Sequence, residues 1–139
     1  MSGGGTGGGF LADARALTAF HLSPAHGGGG MSAAGVAAMR GPDVHVSPVA
    51  VWELTRKAAD GRLSDLPRGG PDGTLAGFLR GQGYRVAEFT WEVAEAANRL
   101  PPHHRDPMDR MQIAAALAAG WTVVTSDRVF PLYGVPTVW

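Results

Sequence analysis

A chain of 139 residues with 45% hydrophobic side chains has the size and apolar content of one globular domain with its own core. It contains no Cys, which excludes a disulfide framework, a thiolate metal site and a Cys nucleophile. Its 12 basic and 12 acidic residues cancel, which argues against nucleic-acid binding by bulk charge alone but leaves room for local charge separation.

No apolar run approaches the length of a membrane span. The opening "MSGGGTGGGF" lacks the basic and apolar regions of a secretory signal, so the expected location is the cytoplasm, with no membrane partner. Residues 1–9 read as a flexible Gly-rich segment and 10–139 as a single domain. "GGGG" at 27–30 reads as a loose loop. Neither Gly tract is followed by the Gly-Lys-Ser/Thr of a phosphate-binding loop.

In chain order, "FLA" at 10–12 reads as a short buried strand and "ARALTAF" as helix, which puts Asp13 at a strand's carboxyl end. "MSAAGVAAMR" (31–40) predicts a helix and "DVHVS" (43–47) a strand. The stretch 47–63 starts a helix with Ser47 as N-cap and Pro48 at the first helical position, and Gly61 fits its end. A loop (66–73), a short helix (74–83), a strand (84–89) and a helix capped by Thr90 (90–100) follow. "DPMDRMQIAAALAAG" predicts a helix that ends at Gly120, "WTVVTSD" (121–127) a strand and turn, and "VPTVW" (135–139) a last short strand. Strands separated by helices predict an α/β fold: a central, mostly parallel sheet flanked by helices in three layers. In such sheets ligands bind beyond the carboxyl ends of the strands.

That rule directs attention to four acids. Asp13 and Asp127 follow predicted strands, while Glu53 and Asp109 lie in early turns of predicted helices. Clustered carboxylates raise one another's pKa, and a hard divalent cation relieves the conflict. Each acid also has a structural reading. Asp106 and Asp109 have capping-box spacing, Glu53 lies four residues before Lys57, Asp127 suits a turn, and Asp13 suits a helix cap. Arg105, Arg110 and Arg128 flank the acids and either balance them or grip a nucleic-acid backbone. His103 and His104 read as loop residues, because adjacent side chains rarely chelate one metal. The four Trp read as core or interface rather than base-stacking platforms.

The combination resembles the PIN-domain family, specifically VapC-type ribonuclease toxins of bacterial toxin–antitoxin pairs. The resemblance is carried by "VSPVAVWELTRKAADGRL" (46–63), "YRVAEFTWEVAEAANRLP" (84–101) and "LPPHHRDPMDRMQIAAALAAGWTVVTSDRVFPLYGVPTVW" (100–139), and covers most of the chain. It implies a PIN-like fold. It also implies an RNA endonuclease in which Asp13, Glu53, Asp109 and Asp127 hold Mg²⁺ or Mn²⁺ and a metal-activated water cuts the phosphodiester. A cognate antitoxin and a homodimer are the implied protein partners. By this match Asp109 is a metal residue and Asp106 the helix cap. Arg15, Arg110, Arg128 and Ser126 are the candidate contacts to RNA. The first strand departs from the family, which has Thr and His after its Asp where this chain has Ala14 and Arg15. The alternative is therefore a catalytically impaired PIN-like module that only binds an antitoxin.

Overall fold

A computed structural model describes residues 8–22, 29–63 and 66–139. Strand β1 (Phe10–Ala12) is the middle of a five-stranded sheet completed by β2 (Val44–Val46), β3 (Arg85–Val86), β4 (Thr122–Val124) and β5 (Thr137–Val138). The order is β3-β2-β1-β4-β5 and every pairing is parallel, so the expected mostly parallel sheet is all-parallel. Parallel neighbours need long crossovers, and helices supply them. They are α1 (Ala14–Leu17, prolonged by a π-helical turn over Thr18–Leu22), α2 (Ala33–Arg40), α3 (Pro48–Ala59), α4 (Leu75–Gly81), α5 (Trp91–Arg99) and α6 (Pro107–Ala119).

The central strands are buried on both faces, and their side chains alternate between two cores. Ala12, Val44, Val46 and Val124 face α1 to α4, where they meet Leu17, Met39, Leu54 and Leu79. Leu11 and Val123 face the other way, onto Ile113 and Ala116 of α6 and onto Phe130. Helix α6 lies between the sheet and α5, so five successive residues, Gln112–Ala116, are buried. The alanines there let α5 come close. Ser47, also buried, donates to the Gln112 side chain at 3.1 Å and accepts from Ala50 N at 3.2 Å, which ties the start of α3 to α6.

Caps follow the sequence. Ser32, Ser47, Thr74, Thr90 and Asp106 each accept a backbone N–H at the start of their helix. Gly120 ends α6 at φ 74°, a conformation that disfavours any side chain. The strands are shorter than expected. The predicted strand 84–89 pairs only at Arg85–Val86, because it lies on an edge with one neighbour, and 121–127 reduces to Thr122–Val124. Helix 47–63 stops at Ala59, capped by Asp60. Of the expected flexible segment 1–9, residues 1–7 lie outside the described residues, as do 27 and 28 of the second Gly tract. Gly9 is buried against Trp121 and its carbonyl accepts from Thr122 N, so the ordered sheet begins one residue before Phe10.

Gly35 makes a second backbone approach. The Trp139 carbonyl accepts from Ser32 N and Oγ, and a Cβ on Gly35 would overlap that carbonyl. Gly35→Ala should therefore destabilise the fold by about 1–3 kcal/mol despite Ala's better helix propensity. The midpoint of urea unfolding measures it.

Candidate metal centre

The site begins at the carboxyl end of β1. Asp13 leaves the strand and caps α1, its Oδ1 accepting from Ala16 N at 2.9 Å. Its Oδ2 accepts from the Thr125 hydroxyl, just past the end of β4. The register that pairs Ala12 with Val124 brings residues 13 and 125 level. Thr125 Oγ1 also accepts from Asp127 N at 3.0 Å, so one hydroxyl orients two acids. Asp127 Oδ1 accepts from Val129 N at 2.9 Å, and its Oδ2 faces His104.

Helix α6 adds Asp109. Asp106 caps the helix, accepting from Met108 N at 2.9 Å, which leaves Asp109 to face the strand ends. Its Oδ2 lies 3.0 Å from His104 Nε2, and Asp127 Oδ2 lies 3.1 Å from the same nitrogen. Ligand atoms of His104, Asp109 and Asp127 fall within 4.8 Å of one another. Glu53, on α3, stands near enough to repel Asp109, and its Oε2 accepts from Lys57 Nζ at 3.0 Å. Thus Asp109 and Asp127 come together, Asp13 joins them through Thr125, and Glu53 stands to one side with its own cation.

Burial and crowding set the protonation of two of these acids. Burial pushes the Asp13 carboxyl up to about 6, against the opposing pull of the Thr125 and Ala16 hydrogen bonds and the Arg15 charge. Asp109 is also pushed up to about 6, by burial first and then by Asp106, with Glu53 and Asp127 adding to it and His104 opposing. A set of carboxylate oxygens that resist ionisation side by side matches the chemistry of a hard divalent cation. Asp109 and Asp127 lie close enough together to share one, and Asp13 and Glu53 fall outside that 4.8 Å grouping.

The basic residues divide. Arg110 is occupied. Its Nη1 donates to the Pro101 and His104 carbonyls and to Tyr133 Oη, and its Nη2 to the Ala97 and Leu100 carbonyls at the end of α5. The expectation that Arg110 grips RNA is corrected: the guanidinium fastens the 101–104 loop to two helices. Arg15 and Ser126 are exposed and line one cleft with Thr18, Lys57 and Trp139. Arg128 is exposed beside Asp127. Sequence reasoning missed His104 and Thr125. The spacing rule for metal ligands compared His104 with its neighbour His103, whereas its partners are 5 and 23 residues away in sequence.

These features define an α/β protein with a cluster of carboxylates at the carboxyl ends of a parallel sheet. The sequence profile of the PIN domain matches residues 29–135, and the chain belongs to the PIN domain family. No match was found among curated protein sequences. Among solved structures, FitAB bound to the IR36 DNA fragment is similar at 18% identity and TM-score 0.59, over 92% of each chain. FitAcB from Neisseria gonorrhoeae is similar at 17% identity and TM-score 0.56, over 94% of this chain and 96% of that one. PAE2754 from Pyrobaculum aerophilum matches at 17% identity and TM-score 0.52, over 97% and 93%. At these identities the likeness is one of fold.

Two outcomes follow from this geometry. Arg110→Ala should cost about 2–3 kcal/mol in denaturant unfolding, with Lys a poor replacement because it cannot span the same carbonyls. The second concerns pH. Folded Asp13 and Asp109 keep their protons up to about 6, but the unfolded groups release them near 3.8. Between those values the folded state binds more protons, so the contribution of both groups to stability is full below about 4 and lost as pH rises through 6. In metal-free protein, Asp109→Asn should raise the melting temperature by a few degrees at pH 7 and leave it unchanged at pH 4.

Proposed function

We propose that this protein is a metal-dependent endoribonuclease, the VapC-type toxin of a toxin–antitoxin pair, acting in the cytoplasm. The observation that carries the reading is the convergence of Asp109, Asp127 and buried Asp13 at the strand ends, with Glu53 close by. The four carboxylates would hold Mg²⁺ or Mn²⁺. Such a cation, when bound, supplies Lewis acidity toward a phosphodiester and makes water a stronger nucleophile.

The protein's own residues have separate parts in this reading. Thr125 aims Asp13 and Asp127. Glu53 adds charge from α3, where its Oε2 accepts from Lys57 Nζ at 3.0 Å. Arg15, Ser126 and Arg128 bind the RNA backbone from the exposed rim, and Lys57 and Trp139 extend the same cleft. Local cations thus serve where the net charge of zero does not. An antitoxin and a second copy of the chain are the protein partners. Exposed Trp91 and Val86, which share a surface hollow with Pro48 and Phe89, supply apolar area for one of them. Among the described residues no helix is long and apolar enough to cross a membrane.

The impaired-module reading rests on Ala14 and Arg15. Against it, Ala14 is buried in the core, and the Arg15 charge favours the ionised form of Asp13. The test is cleavage of RNA by the purified chain with Mg²⁺ or Mn²⁺, beside calorimetric titration with Mn²⁺. Asp109→Asn should lose both cleavage and metal binding while its circular dichroism stays that of the wild type. Cleavage that survives in this variant, or that proceeds in chelator, would refute the assignment. Metal binding without cleavage of any RNA would favour the antitoxin-binding module.

A further inference from the structure

We infer that His104 is a positioning residue: its Nε2–H clamps the carboxylates of Asp109 and Asp127 together, and the ring is not itself a metal ligand. The inference rests on the metal-site reading above and gives a role to a residue that reading leaves unused. Nε2 lies 3.0 Å from Asp109 Oδ2 and 3.1 Å from Asp127 Oδ2, a grouping that on distance alone resembles a ligand triad.

The other ring nitrogen decides between the two roles. Nδ1 lies 3.3 Å from the backbone N of Asp106, and that N–H can only donate. Nδ1 therefore offers its lone pair, and the ring hydrogen sits on Nε2, pointing at the two carboxylates. A histidine that ligates a metal has the reverse arrangement. Its bare nitrogen meets the metal while the other ring N–H donates to a carbonyl or carboxylate.

The ring is also held in place. The His104 backbone N donates to Tyr133 Oη at 2.7 Å, its carbonyl accepts from Arg110, and its ring meets buried Phe130 edge-on at 6.1 Å between centroids. The cap residue Asp106, the staple Arg110 and the aromatic pair thus fix one N–H between two acids that would otherwise repel. Each carboxylate oxygen has a second lone pair, so the clamp can stay as an outer partner when a cation binds. Partners of this kind typically contribute 10–100-fold in metal affinity.

The experiment uses the full chain with Mn²⁺ as the probe. Affinity is measured by calorimetry for wild type, His104→Ala and His104→Gln, with folding checked by circular dichroism. The Gln amide can donate from nearly the place of Nε2 but is a poor ligand for Mn²⁺. The clamp predicts binding about 10–100-fold weaker in the Ala variant, most of it recovered by Gln. It also predicts no directly coordinated ¹⁴N in pulsed electron paramagnetic resonance of the wild type. In metal-free wild type, ¹⁵N shifts of the ring should show a hydrogen on Nε2, a readout that needs neither variant nor metal.

Coordinated ¹⁴N, an unprotonated Nε2, equal weakening in both variants, or unchanged affinity in the Ala variant would each overturn the clamp and leave the metal site standing. A folded wild type that binds no Mn²⁺ would overturn the metal reading itself, and the clamp with it.

Discussion

The bond between the Thr125 hydroxyl and the Asp13 carboxylate joins the ends of the two central strands, and the rest of the site is arranged around it. Asp13 is 5% exposed, so its carboxylate has little water to solvate it and depends on protein donors. Thr125 supplies one donor and the first turn of α1 the other. Because the same hydroxyl accepts from Asp127 N, the placement of a partly buried acid follows from the satisfaction of a more deeply buried one. A parallel sheet makes this economical: strands that run the same way deliver their chain ends to a common edge, where successive turns can be cross-linked by short polar side chains.

A second layer of support comes from α6. Its first turn carries three charged residues with three different tasks. Asp106 closes the helix start, Asp109 faces the strand ends, and Arg110 reaches back to carbonyls at the end of α5 and in the 101–104 loop. The loop that presents His104 is therefore anchored by a guanidinium bonded to protein carbonyls and the Tyr133 hydroxyl. Crowding acids at one sheet edge is tolerable because their repulsion is met locally, by a hydroxyl, an imidazole and a lysine.

The fold was legible in the sequence because its signals are local. Ser47-Pro48, Thr90, Asp106-Pro107 and Gly120 mark helix ends through bonds within a few residues, and the structure makes those bonds. Strand lengths were less legible, since pairing depends on neighbours: 84–89 has β propensity, but only an edge place and one partner. The places of the acids, after strands and in early helical turns, could be read from the sequence. Their partners could not. Thr125 meets Asp13 because of the β1–β4 register, and His104 meets Asp109 and Asp127 because a loop folds over a strand end. Arg110 looked like a cation free for phosphate because sequence shows its charge and not the carbonyls that surround it.

The place of β1 has a consequence for how the molecule is made. Its three residues near the front of the chain pair with 44–46 on one side and with 122–124 on the other. The second pairing closes a loop of more than a hundred residues, an entropic cost paid before that contact yields any stability. On a ribosome, where the chain emerges in order, β1 must wait for β4 with one flank uncovered. Asp13 waits with it, apart from Asp109 and Asp127, until the residues of α6 and β4 have been synthesised. The carboxylate cluster therefore cannot assemble before β4 has emerged, for reasons of topology alone.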